Sequence, residues 1–334
     1  MIYIDFDKNI LDKYHKIIKC WFLRKFAGGK TYKNGYNCGN DKCEICPKSI
    51  HKVSNIPEAA VDFFKNNIDT LIIGNPSELT KLYKEYIKLG IDDSDGIISD
   101  FFVITGYTNW FQDEFAKDFL SDLNINTCIY CNRNYTLDIL YSHTRAELDH
   151  WFPKDKFPIL ALSLYNFIPS CHSCNHIKGN GDKTLKKMLK NENLSKKQIQ
   201  QWWENVLETM NHPHDKNENE NFTFSYEFDE SLNSLSVKFR INPISKKVST
   251  TLEFNKVLEI YNSHANFELK DLYDLRKKYS DTFLNIIESN FDGIMKKEEA
   301  YRMIFGIEIK EEDYHKRPFS KFKHDIIEEL KRTC

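Results

Sequence analysis

Cys128-Ile129-Tyr130-Cys131 and Cys171-His172-Ser173-Cys174 are two Cys-x-x-Cys pairs separated by 39 residues, and the fold turns on how they are read. A Cys-x-x-Cys knuckle bends the backbone so that both thiolates face one point, and two knuckles complete a tetrahedral Zn²⁺ site. The alternative is four unrelated buried cysteines, which the presence of two such pairs in one chain argues against. The spacer is longer than that of a simple zinc ribbon, so something is built between the pairs.

That spacer holds Leu148-Asp149-His150-Trp151-Phe152-Pro153, then Asn166 five residues before Cys171; Asn175 and Lys178 follow the second knuckle directly. Taken singly, Asp-His beside Pro reads as a turn and a lone Asn as a cap or turn residue. Taken together, between two zinc knuckles, they read as a catalytic constellation. The pattern Cys128-x-x-Cys131, Asp149-His150-x-x-Pro153, Asn166, Cys171-x-x-Cys174-Asn175-x-x-Lys178 resembles the HNH nucleases, which have a ββα-metal core. It covers about one sixth of the chain, and the last of the three letters is Asn here rather than His. The longer string LDHWFPKDKFPILALSLYNFIPSCHSCNHIKG, Leu148 to Gly179, more closely resembles the HNH proteins of bacterial anti-phage systems, in particular the HNH partners of ATPases in Septu-type defence. The resemblance implies a metal-dependent endonuclease acting on DNA in anti-phage defence, with a separate ATPase or sensor subunit as partner.

The chemistry of the trio can be read without the family. Hydrolysing a phosphodiester requires a water made nucleophilic and a home for negative charge on the phosphate. His150 is the candidate base, since imidazole titrates near neutral pH. Its neighbour Asp149 points to the other face of an extended segment, which suits one side chain to the water proton and the other to a metal. Asn175, at the start of the helix after the second knuckle, offers a further oxygen ligand, and hard oxygen ligands suit Mg²⁺ or another divalent ion. Asn166 is expected to brace the loop and fix the His150 ring through a backbone hydrogen bond. Zn²⁺ is then structural, a staple for a segment too small to have its own large core.

Other signals are weaker. Cys38, Cys43, Cys46 and His51 offer three thiols and an imidazole for a second zinc site in a polar loop; Cys20 is an alternative fourth ligand, and three reduced loop cysteines are the simpler alternative. Lys178, Lys183 and Lys186 are candidate phosphate contacts, against the alternative of a solvated helix face. Tyr261 and His264 lie on an apolar helical stripe, where a histidine is more often a hydrogen-bonded core residue.

The chain has 334 residues, 47 Lys+Arg against 49 Asp+Glu, and 41% hydrophobic residues, so it can build a core, and a uniformly basic coat for nucleic acid is excluded. No stretch approaches the roughly 20 apolar residues needed to cross a bilayer. Met1–Asn9 carries acids where a signal peptide carries bases, so a cytoplasmic protein is expected. Its nine cysteines are then thiols or metal ligands rather than a disulfide framework. No Walker-type phosphate loop occurs, so nucleotide control would need another subunit.

The expected architecture is α+β and mainly helical: a helical region over 1–125 containing the Cys-rich loop (38–51), the zinc-stapled HNH core over 126–182, and a helical region over 183–334. Within the first, Asn75-Pro76-Ser77-Glu78 reads as a helix start and Gly90 as its stop. Residues 183–211 read as helix. Phe222, Phe224, Tyr226 and Phe228, then Leu235, Val237, Phe239 and Ile241, alternate with polar residues on either side of a turn, which predicts an antiparallel hairpin over 222–241. Two rivals to a DNA endonuclease stand: a toxin-like RNA nuclease with the same trio, and a catalytically silent zinc-stabilised module that presents nucleic acid to a partner. Asp149-His150 argues against silence, because binding alone needs neither residue.

Overall fold

The computed structural model describes residues 2–26, 56–136, 147–179, 181–191, 193–216, 222–229, 234–241, 245–278, 281–290 and 294–333. They are mainly helical, with two two-stranded sheets. The Cys38, Cys43, Cys46 and His51 cluster lies outside the described residues. The chain divides into two compact units whose segments alternate in sequence: Asp5–Leu123 with Leu148–Ile168, and Met1–Ile4 with Asn124–Glu147 and Pro169–Cys334.

The first unit carries α1 (Lys8–Phe26), α2 (Glu58–Asn66), α3 (Ile68–Ile73), α4 (Pro76–Lys88), α5 (Ile97–Asp100) and α6 (Ala116–Leu123). α4 starts where the sequence places it. Asn75 Oδ1 accepts from the Glu78 amide at 3.0 Å while Glu78 Oε2 accepts from the Asn75 amide at 2.8 Å, so two helix-end donors are satisfied reciprocally. The helix stops before Gly90, whose φ of +62° is open to glycine at no steric cost. α5 runs into a π-helical segment, Phe101–Phe111, and α6 begins at Ala116.

The core of this unit is aromatic. Trp21 stacks on Trp110 at 4.7 Å, and Phe22, Phe64, Phe101 and Phe102 pack around them. Gly106 permits a close approach in this core: a Cβ there would lie 2.8 Å from Leu162 Cδ1 and 3.1 Å from Trp21 Cη2.

Two strands join this unit's chain to the other's: β1 (Glu147–His150), paired with β2 (Phe167–Ser170). The second unit continues with α7 (His172–Gly179), α8 (Gly181–Leu189) and α9 (Lys196–Thr209). The helix expected over 183–211 is thus two helices. Lys190 takes a left-handed φ of +49°, and Ser195 and Gln198 form a new capping box that starts α9.

β3 (Phe222–Asp229) and β4 (Ser234–Ile241) pair antiparallel, with Phe222 opposite Ile241 and Asp229 opposite Ser234. Phe222 and Phe224 face a core built with α10 (Lys246–Phe254), α11 (Val257–Asn262), α12 (Lys270–Lys278), α14 (Lys297–Phe305) and α15 (Ser320–Thr333), to which Leu252, Tyr261, Leu272, Tyr301, Ile326 and Leu330 also contribute; α13 (Asp281–Asn290) lies between α12 and α14 in the chain. Asp325 Oδ2 on α15 accepts from the Phe224 amide at 2.9 Å, which locks the strand to the helix.

Phe224 packs against Tyr261 and Phe322 with ring centroids 4.5 and 5.4 Å apart. Phe224→Ala is expected to cost about 3–5 kcal/mol, the usual loss for a buried aromatic, measured by urea unfolding of the full chain.

Candidate metal centre and active-site residues

The first knuckle is a tight turn. Thr127 bridges Tyr135, the Asn132 amide donates to the Cys128 carbonyl at 2.7 Å, and the Cys128 amide donates to the Asn134 carbonyl at 2.9 Å. Asn132 takes a left-handed φ of +46°, a conformation asparagine tolerates better than most residues, and this curls the chain back over the sulfurs. The Arg133 amide then donates to Cys131 Sγ at 3.4 Å. The second knuckle straddles a helix start: Cys171 precedes α7 and Cys174 lies in its first turn. The amides of the helix start and the helix dipole there favour negative charge on sulfur.

All four sulfurs lie within 4.8 Å of one another, and all four residues are buried. The cysteines are free thiols rather than disulfides. Without a cation this arrangement is electrostatically awkward: burial pushes the Cys128 thiol up, while hydrogen bonds from its three neighbours pull the Cys171 thiol down. A soft divalent ion bound by four thiolates resolves the conflict, because its charge compensates theirs in a site closed to water. The donor set fits Zn²⁺.

Several contacts missed by sequence reasoning hold the first knuckle in place. Tyr261, buried on α11, donates its hydroxyl to the Cys131 carbonyl at 2.5 Å, and burial raises that phenol well above its usual range. Asn132 Nδ2 lies 2.9 Å from Thr127 Oγ1, 3.0 Å from the Tyr314 carbonyl and 3.1 Å from the Arg317 carbonyl. The Phe319 amide donates to the Asn132 carbonyl. His264 faces Arg133 at 3.1 Å, and its pKa is lowered by partial burial and by that guanidinium. Only the apolar helical stripe that carries Tyr261 and His264 hinted at packing here; nothing in the sequence said that it would clasp a knuckle.

Asn175 and Lys178 belong to the same unit as the cysteines, whereas Asp149, His150 and Asn166 belong to the other. Asn175 Nδ2 donates to Glu147 Oε2 at 2.7 Å, and the other oxygen of that carboxylate takes His172 Nδ1 at 2.8 Å. The Glu147 partnership raises the His172 pKa. Glu147 was not among the expected site residues. The available signal was its place two residues before Asp149, which puts both carboxylates on one face of β1. Lys178 is 2% exposed, so it does not lie on the solvated helix face its sequence context suggests; Lys183 is exposed and Lys186 partly so.

In the other unit Asp149 and His150 end β1, both buried. His150 Nε2 lies 3.0 Å from the Ala161 carbonyl. A carbonyl only accepts, so Nε2 carries the hydrogen, and in the neutral ring Nδ1 is the nitrogen with the lone pair. The ring sits edge-on to Tyr107 at 4.4 Å and to Phe167 at 5.2 Å.

Asn166 is fully buried and closes the intervening loop from inside. Its Oδ1 accepts from the Phe152 amide at 2.6 Å, and its Nδ2 donates to the Leu160 carbonyl at 2.8 Å and the Phe152 carbonyl at 3.2 Å. None of these bonds reaches the His150 ring. Asn166 instead holds Leu160, the residue before the carbonyl that does. The Asn166 carbonyl accepts from the Trp151 amide at 2.9 Å, which ties the residue after His150 to the same brace.

Over 107 residues the chain is 30% identical to the Septu protein PtuB of Bacillus thuringiensis, which is 32% of this chain and 36% of that protein. The chain thus matches about a third of the length of this curated relative. No family model and no solved structure matches the chain. Among the described residues, no helix is long and apolar enough to cross a membrane.

The purified protein is expected to carry one tightly held zinc per chain at these four sulfurs, measured by elemental analysis. Cys171→Ser should lose it together with solubility. Because a thiolate must shed its proton to bind, zinc retention against a fixed chelator should weaken as pH falls, and titration with a chromogenic chelator at several pH values reads this directly.

Proposed function

We propose that the protein is a metal-dependent endonuclease of the HNH type that hydrolyses DNA phosphodiester bonds, with His150 as general base. The observation that carries this reading is the fixed tautomer of His150. A hydrogen committed to the Ala161 carbonyl leaves Nδ1 as the proton acceptor, and the packed Tyr107 and Phe167 rings hold that nitrogen in one direction. A histidine serving only as core filler has no need of a loop braced at three points by a buried asparagine.

Asp149 offers a carboxylate and Asn175 a carboxamide, hard oxygen donors of the kind that Mg²⁺ takes. When bound, the ion supplies positive charge for the developing charge on phosphate. Glu147 takes the amide nitrogen of Asn175, which orients its oxygen away from that carboxylate. Asn166 acts through the loop as a positioning residue. The four-cysteine centre is structural, and Lys183 and Lys186 are offered to phosphates. The likeness to a Septu protein supports placing this activity in anti-phage defence; an ATPase or sensor subunit is the partner that the sequence resemblance implies.

Plasmid nicking and RNA degradation, each with and without Mg²⁺, test the proposal. Metal-dependent cutting of DNA is expected. Cutting of RNA alone would move the substrate to RNA, and no cutting of either by zinc-loaded protein in the presence of its partner would leave a binding module. His150→Ala should lower the rate by about 10²–10⁴-fold with zinc content and DNA affinity retained. Asp149→Ala should abolish metal-dependent cleavage. Asn175→Ala and Glu147→Ala should both raise the Mg²⁺ concentration needed for half-maximal rate. Asn166→Ala should lower the rate without moving that concentration.

A further inference from the structure

The unit that carries His150 also has a cavity of about 220 Å³ between α1 and α6, which no part of the proposed chemistry uses. Its walls are Tyr14, Ile17, Ile18, Phe111 and Phe119, all buried. An apolar cavity of about 150 Å³ already takes a benzene ring and stays dry without one, so this space suits a single aromatic ring with a short substituent.

The rim is charged, and unevenly so. Asp118 and Asp122 stand one turn apart on α6, a like-charge spacing that is unfavourable on a helix. Lys13 Nζ meets Asp122 Oδ2 at 2.6 Å and offsets one of the two carboxylates. The other keeps the rim net negative, which favours a guest whose short substituent ends in an ammonium group.

The floor of the cavity is also the backing of His150. Tyr14 donates its hydroxyl to the Leu162 carbonyl at 2.8 Å, and the preceding carbonyl, that of Ala161, is the one that takes the His150 hydrogen. The rings of Tyr14, Phe111 and Phe119 lie 6.2, 5.0 and 5.8 Å from that of Phe167, which lies 5.2 Å from His150. A guest seated on these rings therefore presses on two of the groups that orient the imidazole, the Ala161 carbonyl and the Phe167 ring.

We propose that the cavity between α1 and α6 is an effector site for a small aromatic amine, and that its occupancy sets the orientation of the His150 ring. The consequence for cleavage rests on the reading of His150 as general base; the binding and the ring response do not.

The test uses the zinc-loaded full chain with 2-phenylethylamine as probe and phenylacetate, the same body with opposite charge, as its counterpart. Calorimetry is expected to show saturable one-to-one binding of the amine and weaker binding of the acid. Asp118→Asn, an exposed change that leaves the core intact, should weaken the amine about two- to fivefold, the worth of an exposed ion pair. Ile17→Phe, which fills the space, should abolish binding. In imidazole ¹H–¹⁵N spectra, the His150 signal, identified by its loss in His150→Gln, should shift as the amine saturates. No saturable amine binding to the wild-type chain would overturn the site, and equal affinity for phenylacetate would overturn the ligand class. Binding with the His150 signal unmoved would overturn the coupling. Failure of the nuclease reading would look different: binding and spectral shift intact, with no cleavage at any amine concentration.

Discussion

Four buried sulfurs within 4.8 Å of one another are the constraint on which one half of this chain depends. Packing alone leaves the four sulfurs in conflict, because burial pushes the Cys128 thiol up while hydrogen bonds from its neighbours pull the Cys171 thiol down. A Zn²⁺ held by the four sulfurs would resolve that conflict and make a rigid point of two short knuckles. The rest of that unit is fastened to this point by polar contacts. Ile129 donates to the Pro169 carbonyl at 3.1 Å, Tyr261 caps Cys131, and Asn132 gathers the carbonyls of Tyr314 and Arg317. The helices over 246–333 are thereby more than a scaffold beside the metal. Their own apolar core supplies the burial, and the knuckle supplies acceptors and donors that the core lacks.

The His150 unit obeys a different logic. It has no metal cluster among its described residues and relies on aromatic burial around Trp21, Phe22 and Phe101. What it contributes is stiffness at one side chain. The Asn166 amide replaces the secondary structure that the 151–166 loop largely lacks, and Phe167 fills the space behind the imidazole. A buried amide satisfied at both ends specifies one loop conformation, since any other would strand polar atoms away from water.

The parts legible in the sequence are those whose physics is local. Cys-x-x-Cys pairs announce a metal because the spacing itself makes the turn. Asn75 and Glu78 announce a helix start because a capping box is closed within four residues, and the alternation from Phe222 to Ile241 announces a hairpin because side chains on a strand change face at every step. The helix break at Lys190 was not announced, since lysine adopts a left-handed φ only where its surroundings demand it.

Tertiary structure alone decided the rest. The residues between the knuckles fall into two units that alternate along the chain, so a division into consecutive regions could not see which residues share a core. It set the partner of His150 as the Ala161 carbonyl and the role of Asn166 as a brace on Leu160, buried Lys178, and brought Glu147 to Asn175. Each of these joins residues from 6 to 28 positions apart through one directional bond, or through burial. Pattern in a sequence reports which residues prefer water and which turns are cheap; it carries no record of which distant donor meets which acceptor. The metal centre belongs to the amino-acid sequence, and the orientation of the candidate base belongs to the fold.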